Sequence, residues 1–217
     1  GPTSRGLWGG LVLFGQAPIN GAVDTTGNAA TPKYEVYEGL TDITIGGQNV
    51  FRFGGTNDND NSGIIQYVSI RHGGAVLAPN KEINGLSLGA VGRGTSIDHV
   101  ESYCAADDGF EFFGGTVNTK YLVSSFNDDD SFDTDMGYNG TNQFWFAIQA
   151  PDKRNYGMEL NSQLNELISS GNPAPILPRG TFTVYNMTII GAGTSSTNQN
   201  GGGDDAIALR PFASPSI

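Results

Sequence analysis

Asp107-Asp108-Gly109-Phe110-Glu111-Phe112 returns as Asp129-Asp130-Ser131-Phe132-Asp133-Thr134, with weaker echoes at Asn84-Gly85-Leu86-Ser87-Leu88, Tyr156-Gly157-Met158-Glu159-Leu160 and Asp205-Ala206-Ile207-Ala208-Leu209. Aligned on the small residue after the acid, amide or tyrosine, the copies are separated by 24, 22, 26 and 49 residues, the last gap reading as roughly two steps. A unit of that length, carrying one short alternating strand and tolerating loop insertions, cannot bury its apolar face alone and must stack on its neighbours. The same register returns around it. Phe53-Gly-Gly-Thr56 recurs as Phe113-Gly-Gly-Thr116, each followed by a strand, Ile65 to Ile70 and Lys120 to Ser125. An antiparallel sandwich also has regularly spaced strands, but hairpin strands run in opposite directions and need not repeat. The expected fold is all-β: a right-handed parallel β-helix, a solenoid with long loop excursions and at most one short helix, filling residues 1–217 as a single domain.

Strands are expected at Trp8 to Phe14, Ile43 to Ile45, Val50 to Phe53, Ile64 to Arg71, Ile83 to Leu88, Ser96 to Ser102, Phe110 to Phe113, Lys120 to Phe126, Phe132 to Thr134 and Gln143 to Ile148. All are short, rich in β-branched or aromatic residues, and bounded by Gly, Asn and Asp. Residues 16 to 41 read as a loop thrown out of one turn. The helix is expected over Ser162 to Ser170, capped by Ser162 and stopped by Gly171 and Pro173. Phe110, Phe112, Phe113, Tyr121, Phe126, Phe132, Phe144, Trp145 and Phe146 are expected as interior stacks; the lesser alternative is that a few of them alternate outward as a sugar-binding platform.

Composition narrows the function. Only 15% of residues are charged, glycine is 32 of 217, and the net charge is −11. That field repels phosphate backbones and anionic lipid and favours cations, so nucleic acid and membrane insertion are not expected. Cys104 is the only cysteine, which excludes an internal disulfide, and it reads as a buried small hydrophobe. His72 and His99 have no partner histidine at ligand spacing.

Stacking one coil on the next brings Asp107 and Asp108 close to Asp129 and Asp130, and Glu111 close to Asp133. Like charges at that spacing repel. A bound hard cation, a proton shared between carboxyls, or side chains splayed in a solvated turn would each relieve them. Ca²⁺ takes six to eight oxygens, so Asp107, Asp108, Asp128, Asp129, Asp130, Asp133 and Asp135 are the candidate ligands. Asp58-Asn-Asp60-Asn-Ser62-Gly63 matches the opening of a calcium loop but lacks its terminal acid, since Ser69 stands at the twelfth position. Gly201-Gly-Gly-Asp204-Asp205 is a fainter candidate. If the chain is an enzyme, Asp108, Asp130 and Asp133 are the residues that would carry acid and base roles. The reading leans away from catalysis.

Arg5 to Asn20, Asn80 to Leu86, Asp107 to Asn118, Lys120 to Val123 and Asp128 to Tyr138 together resemble a group of secreted bacterial right-handed parallel β-helix proteins, over most of residues 5 to 150. The resemblance implies export or a cell-surface location. It also implies a fragment or processed piece of a longer chain, because the Trp8-Gly-Gly strand of such proteins follows further β-helix. Polygalacturonase-like enzymes share the Asp107-Asp108 pair superficially, but their Gly-His-Gly and Arg-x-Lys motifs have no counterpart here.

The sequence therefore points to a secreted or cell-surface structural or adhesive module with acidic, Ca²⁺-binding turns. Polysaccharide or other surface proteins would be its partners. The alternatives are a carbohydrate-active enzyme, either glycoside hydrolase or polysaccharide lyase, and a subunit of an extracellular assembly or filament that associates through open coil ends.

Overall fold

In a chain whose apolar residues alternate over four-residue strands, each strand can cover only one side of a core, and the core is completed by stacking. The structure, a computed structural model, describes residues 3–21, 33–40, 43–79, 81–163, 177–198 and 205–217. Two parallel sheets run along the stack. The first has six strands in the order β1 (Leu11–Phe14), β9 (Leu86–Gly89), β11 (Phe110–Phe113), β13 (Phe132–Asp135), β16 (Met158–Leu160) and β19 (Ile207–Leu209). The second contains β6 (Ile64–Arg71), β10 (Ser96–Tyr103), β12 (Thr119–Ser125), β14 (Thr141–Gln143), β15 (Phe146–Ile148), β17 (Thr183–Tyr185) and β18 (Thr188–Ile190). The chain passes from one sheet to the other and back in each coil, as a parallel β-helix requires. Among the described residues there is no helix. Most of the expected Ser162 to Ser170 helix and the Gly201 to Asp204 run lie outside them.

Register follows the repeated hexamer. Leu11, Leu86, Phe110, Phe132, Met158 and Ile207 stand one above another, as do Leu13, Leu88, Phe112, Thr134, Leu160 and Leu209. Leu86, Phe110, Phe132 and Met158 are fully buried. Phe110 stacks on Phe132 at 5.3 Å between centroids, and Phe132 on Trp145 at 4.3 Å. The small residue that opens each copy has a steric cause. A Cβ on Gly85 would sit 2.0 Å from Ser102 Oγ, and one on Gly109 2.4 Å from Ser124 Oγ.

One expectation is corrected by the register. The 49-residue interval does not hold two coils, because Met158 pairs directly with Ile207 and Leu160 with Leu209. The intervening β17 and β18 continue the second sheet, pairing with β14 and β15. It is one coil with long excursions.

The corners of the coil are marked by backbone strain. Tyr67, His99, Tyr121, Phe144 and Asn186 occupy equivalent positions, all with φ between 53° and 62°. A left-handed residue other than glycine costs about 1–2 kcal/mol. The side chains offset it by stacking: Tyr67 on His99 at 4.6 Å, His99 on Tyr121 at 4.4 Å, and Tyr121 on Phe144 at 4.7 Å. Each such contact contributes about 0.5–1.5 kcal/mol. Tyr121 and Phe144 are thus on the outside, not in the interior stacks. This exposed ladder is a poor sugar platform, since each inner ring spends both faces on its neighbours. Cys104 is buried, as the sequence suggested.

Between β1 and β6 the chain makes its main excursion. β2 (Glu35–Val36) pairs antiparallel with β5 (Arg52–Phe53), and β3 (Thr44–Ile45) with β4 (Gln48–Asn49). Phe53, Tyr37 and Ile19 from this excursion pack with Phe113 and Met136 as a second apolar cluster. It lies against the outward side of the first sheet. A short hairpin of β7 (Val76–Ala78) and β8 (Lys81–Glu82) precedes β9.

Candidate functional site

Strand alternation decides which acids can act together. In the first sheet the residues two after each opening small residue point away from the core, and they form the ladder Val12, Ser87, Glu111, Asp133, Glu159 and Ala208. Three consecutive rungs therefore carry carboxylates on one line. The apolar cluster of the excursion lies against this face, leaving a cleft of about 540 Å³. Among the described residues its walls present six carboxylates, Glu35, Glu38, Glu111, Asp133, Asp135 and Glu159, against one ammonium, Lys81. Tyr37, Phe53, Phe113 and Asn161 are also among its lining residues.

Asp108, Glu111 and Asp133 each bring an oxygen within 4.8 Å of the other two. Asp107, Asp108 and Asp129 do the same at the turn leading into the sheet. Burial first, and then the surrounding acids, hold these carboxyls well above their ordinary range. For Asp133 the foremost neighbour is Glu111, for Glu111 it is Asp107, and for Asp108 it is Asp107 followed by Asp130. Asp107 and Asp130 are raised well above the ordinary range for the same reason, and Asp129 is also raised. Asn84 Nδ2 donates to Glu111 Oε2 and, at 3.1 Å, to Ser87 Oγ, which also meets the Tyr37 hydroxyl at 2.8 Å.

Two oxygens in this cleft have no such support. Asp133 Oδ1 is sealed from solvent and has no hydrogen-bond partner, although the residue as a whole is partly exposed. Asn161 Oδ1 is likewise without a partner, in a residue only 2% exposed. A buried acceptor left unpaired costs about 1–3 kcal/mol, which a donor or a cation placed against it would relieve.

The acids expected from the sequence separate into groups. Asp133 and Asp135 line the cleft, Asp135 Oδ1 accepting from the Met136 backbone at 2.6 Å. Asp108 and Asp130 sit in the buried turns and serve as acceptors between coils: Asp130 N–H donates to Asp108 Oδ1 at 2.9 Å, and Tyr156 N–H to Asp130 Oδ1 at 2.5 Å. Of the catalytic candidates only Asp133 reaches the cleft wall. Asp128 is paired with Lys153 at 2.9 Å. Asp58 faces Arg93 at 3.7 Å, while Asp60 Oδ2 accepts from Ser62 Oγ at 2.9 Å and the Gly92 N–H at 3.3 Å. Protein donors thus serve both members of the presumptive calcium loop, and no group of three acids is formed there among the described residues.

Glu159 was missed, although it occupies the same offset in its repeat as Glu111 and Asp133. Its carboxylate takes Arg210 at 2.8 Å and Asn161 Nδ2 at 3.1 Å. Glu35, Tyr37 and Glu38 come from the excursion, where no periodicity marks them, whereas Asn161 follows Leu160 in register with Asp135, its N–H bonding Thr134 O at 2.8 Å, and was missed although the repeat displays its position.

A family model described as a pectate-lyase-like beta helix domain matches residues 2–214. No curated protein and no solved structure matches the chain. With the stacked parallel coils and that match over nearly all of its length, the chain belongs to the pectate-lyase-like β-helix domain family.

Proposed function

We propose that this chain is an exported, cell-surface β-helix module that engages polysaccharide through a cation-holding cleft, with Ca²⁺ as the ion. One observation carries the reading: Asp108, Glu111 and Asp133 converge within 4.8 Å while Asp133 Oδ1 is buried without a partner. The available donors are all oxygens, which suits a hard cation, and Ca²⁺ accepts the irregular geometry that Mg²⁺ resists. Asp108, Glu111 and Asp133 would hold it, and Asn161 Oδ1 lies in the same cleft for a ligand or a bound water. The ion would supply the charge that now has to be cancelled by protons. A cleft of about 540 Å³ has the size of small-molecule sites and suits one or two sugar rings.

Calorimetric titration of the chelator-treated chain with Ca²⁺ and Mg²⁺ tests the reading. The expected result is selective Ca²⁺ binding and a raised Tm, because a ligand of the folded state alone stabilises it by about 2.7 kcal/mol at a hundredfold excess over Kd. An unchanged Tm and no heat would overturn it.

Raised carboxyl pKa values also favour a second reading, a glycoside hydrolase in which a protonated carboxyl of the Glu111 and Asp133 pair acts as acid and its partner as base or nucleophile. Cleavage of a neutral polysaccharide without Ca²⁺, abolished by Glu111→Gln, would select it over the first.

A further inference from the structure

The excursion that closes the acidic cleft has a second side of opposite character. Strand alternation in β5 sends Phe53 into the apolar cluster and Arg52 the other way. There Arg52 faces a separate pocket of about 340 Å³, whose lining among the described residues has no aspartate or glutamate. In a chain with 22 acidic residues this is an unusual place to leave a guanidinium. Arg5, Arg71, Arg93 and Arg210 each face a carboxylate. Arg52 has no ion pair among the described residues. Its guanidinium lies over the Tyr34 ring, with Cζ 3.6 Å from the centroid.

That contact orients the fork without using its donors. Stacking on an aromatic face fixes the guanidinium plane and leaves its edge N–H groups free for two parallel bonds to an oxyanion. Around it the pocket presents the amides of Gln16, Gln48 and Asn49 and the hydroxyl of Thr56, which are groups suited to sugar hydroxyls. The wall is backbone at close quarters: Gly54 has φ of +111°, and a Cβ there would lie 2.4 Å from Lys33 O. This pins the strand that carries Arg52.

We propose that this pocket binds the anionic group, carboxylate or sulfate ester, of an acidic saccharide, with Arg52 as the anion fork and Tyr34 as its brace. It deepens the polysaccharide reading above by naming a substrate class, and it rests on that reading only for the saccharide. The Arg52 site uses none of the acids of the cleft.

Titration of the isotope-labelled chain with D-glucuronate, D-glucose 6-sulfate and D-glucose, followed by NMR shifts, tests it. At least one anion should bind at least about tenfold more tightly than glucose, corresponding to about 1.4 kcal/mol, with shifts centred on Arg52 and Tyr34. The tighter anion names the group. Arg52→Gln should erase the preference while keeping the wild-type Tm, and Arg52→Lys should retain part of it. The Glu111→Gln/Asp133→Asn variant should keep it in full, so that failure of the cation site and failure of this one are told apart. Equal affinity for the three sugars, binding of none of them, or a preference that survives Arg52→Gln would overturn the proposal.

Discussion

Two sets of acids only a few residues apart in each repeat meet different fates. The turn aspartates, Asp108 and Asp130, are buried, and each spends an oxygen on the backbone N–H of the next coil. The sheet-face acids, Glu111 and Asp133, lie one rung apart in strict register, but Asp133 has no donor for Oδ1. In the turns the path of the chain delivers an N–H to each acid. On the sheet face the backbone N–H groups of paired strands lie in the plane of the sheet and bond the neighbouring rung, so outward side chains must find partners elsewhere. Similar charges therefore act as coil-to-coil connectors in one place and as a converging group with an unpartnered Asp133 Oδ1 in the other, with Asp108 touching both.

The sharpest way to break this contrast is to neutralise the sheet face. Glu111→Gln/Asp133→Asn is expected to weaken Ca²⁺ binding by about a hundredfold or more, corresponding to about 2.7 kcal/mol, by calorimetric titration. The same variant should melt higher than the metal-free wild type, since like-charge repulsion is gone. Asp130→Ala should show the reverse pattern. It strands the Tyr156 N–H and is expected to cost about 1–3 kcal/mol in chemical denaturation. If it abolished Ca²⁺ binding and left stability untouched, the turn acids would be ligands and the contrast would collapse.

A pH series sharpens it further. Asp108, Glu111 and Asp133 ionise above their ordinary values of 3.8, 4.5 and 3.8, so the folded state holds their protons more tightly than the unfolded one. Their contribution is complete below about pH 4 and is lost as pH rises through the raised values. Metal-free chain should thus lose stability progressively as pH rises from about 4, measured by urea denaturation. Saturating Ca²⁺ should flatten that slope. The smallest effect is expected at Glu159, whose charge Arg210 already answers. Glu159→Gln should change Ca²⁺ affinity by no more than about fivefold, because the charge removed is one that Arg210 already neutralises.

Much of the fold was legible because a β-helix writes its register into the chain. β11 was anticipated to the residue, β6 likewise, and the Glu111–Asp133 pairing followed from the hexamer alone. Where the reading stumbled, insertions had diluted the period: the 49-residue coil looked like two. Tyr121 and Phe144 looked interior because residue type does not reveal a left-handed corner, which turns a side chain from core to surface. The site was half legible. Glu111, Asp133 and Glu159 share an offset that the repeat displays, and Asp135 and Asn161 share another, but Tyr37 and Glu38 enter the cleft from an excursion of irregular length.

By itself the sequence determined that coils must stack, which residues share a ladder, and that carboxylates would be brought together, because a period of two within a repeat near 24 leaves few other ways to bury Leu86, Phe110, Phe132 and Met158. Only the tertiary structure decided which of those carboxylates had a donor and which did not. Hydrogen bonding depends on where the neighbouring coil's backbone and the folded-over excursion come to rest, and those positions are set by long-range packing that no local pattern encodes.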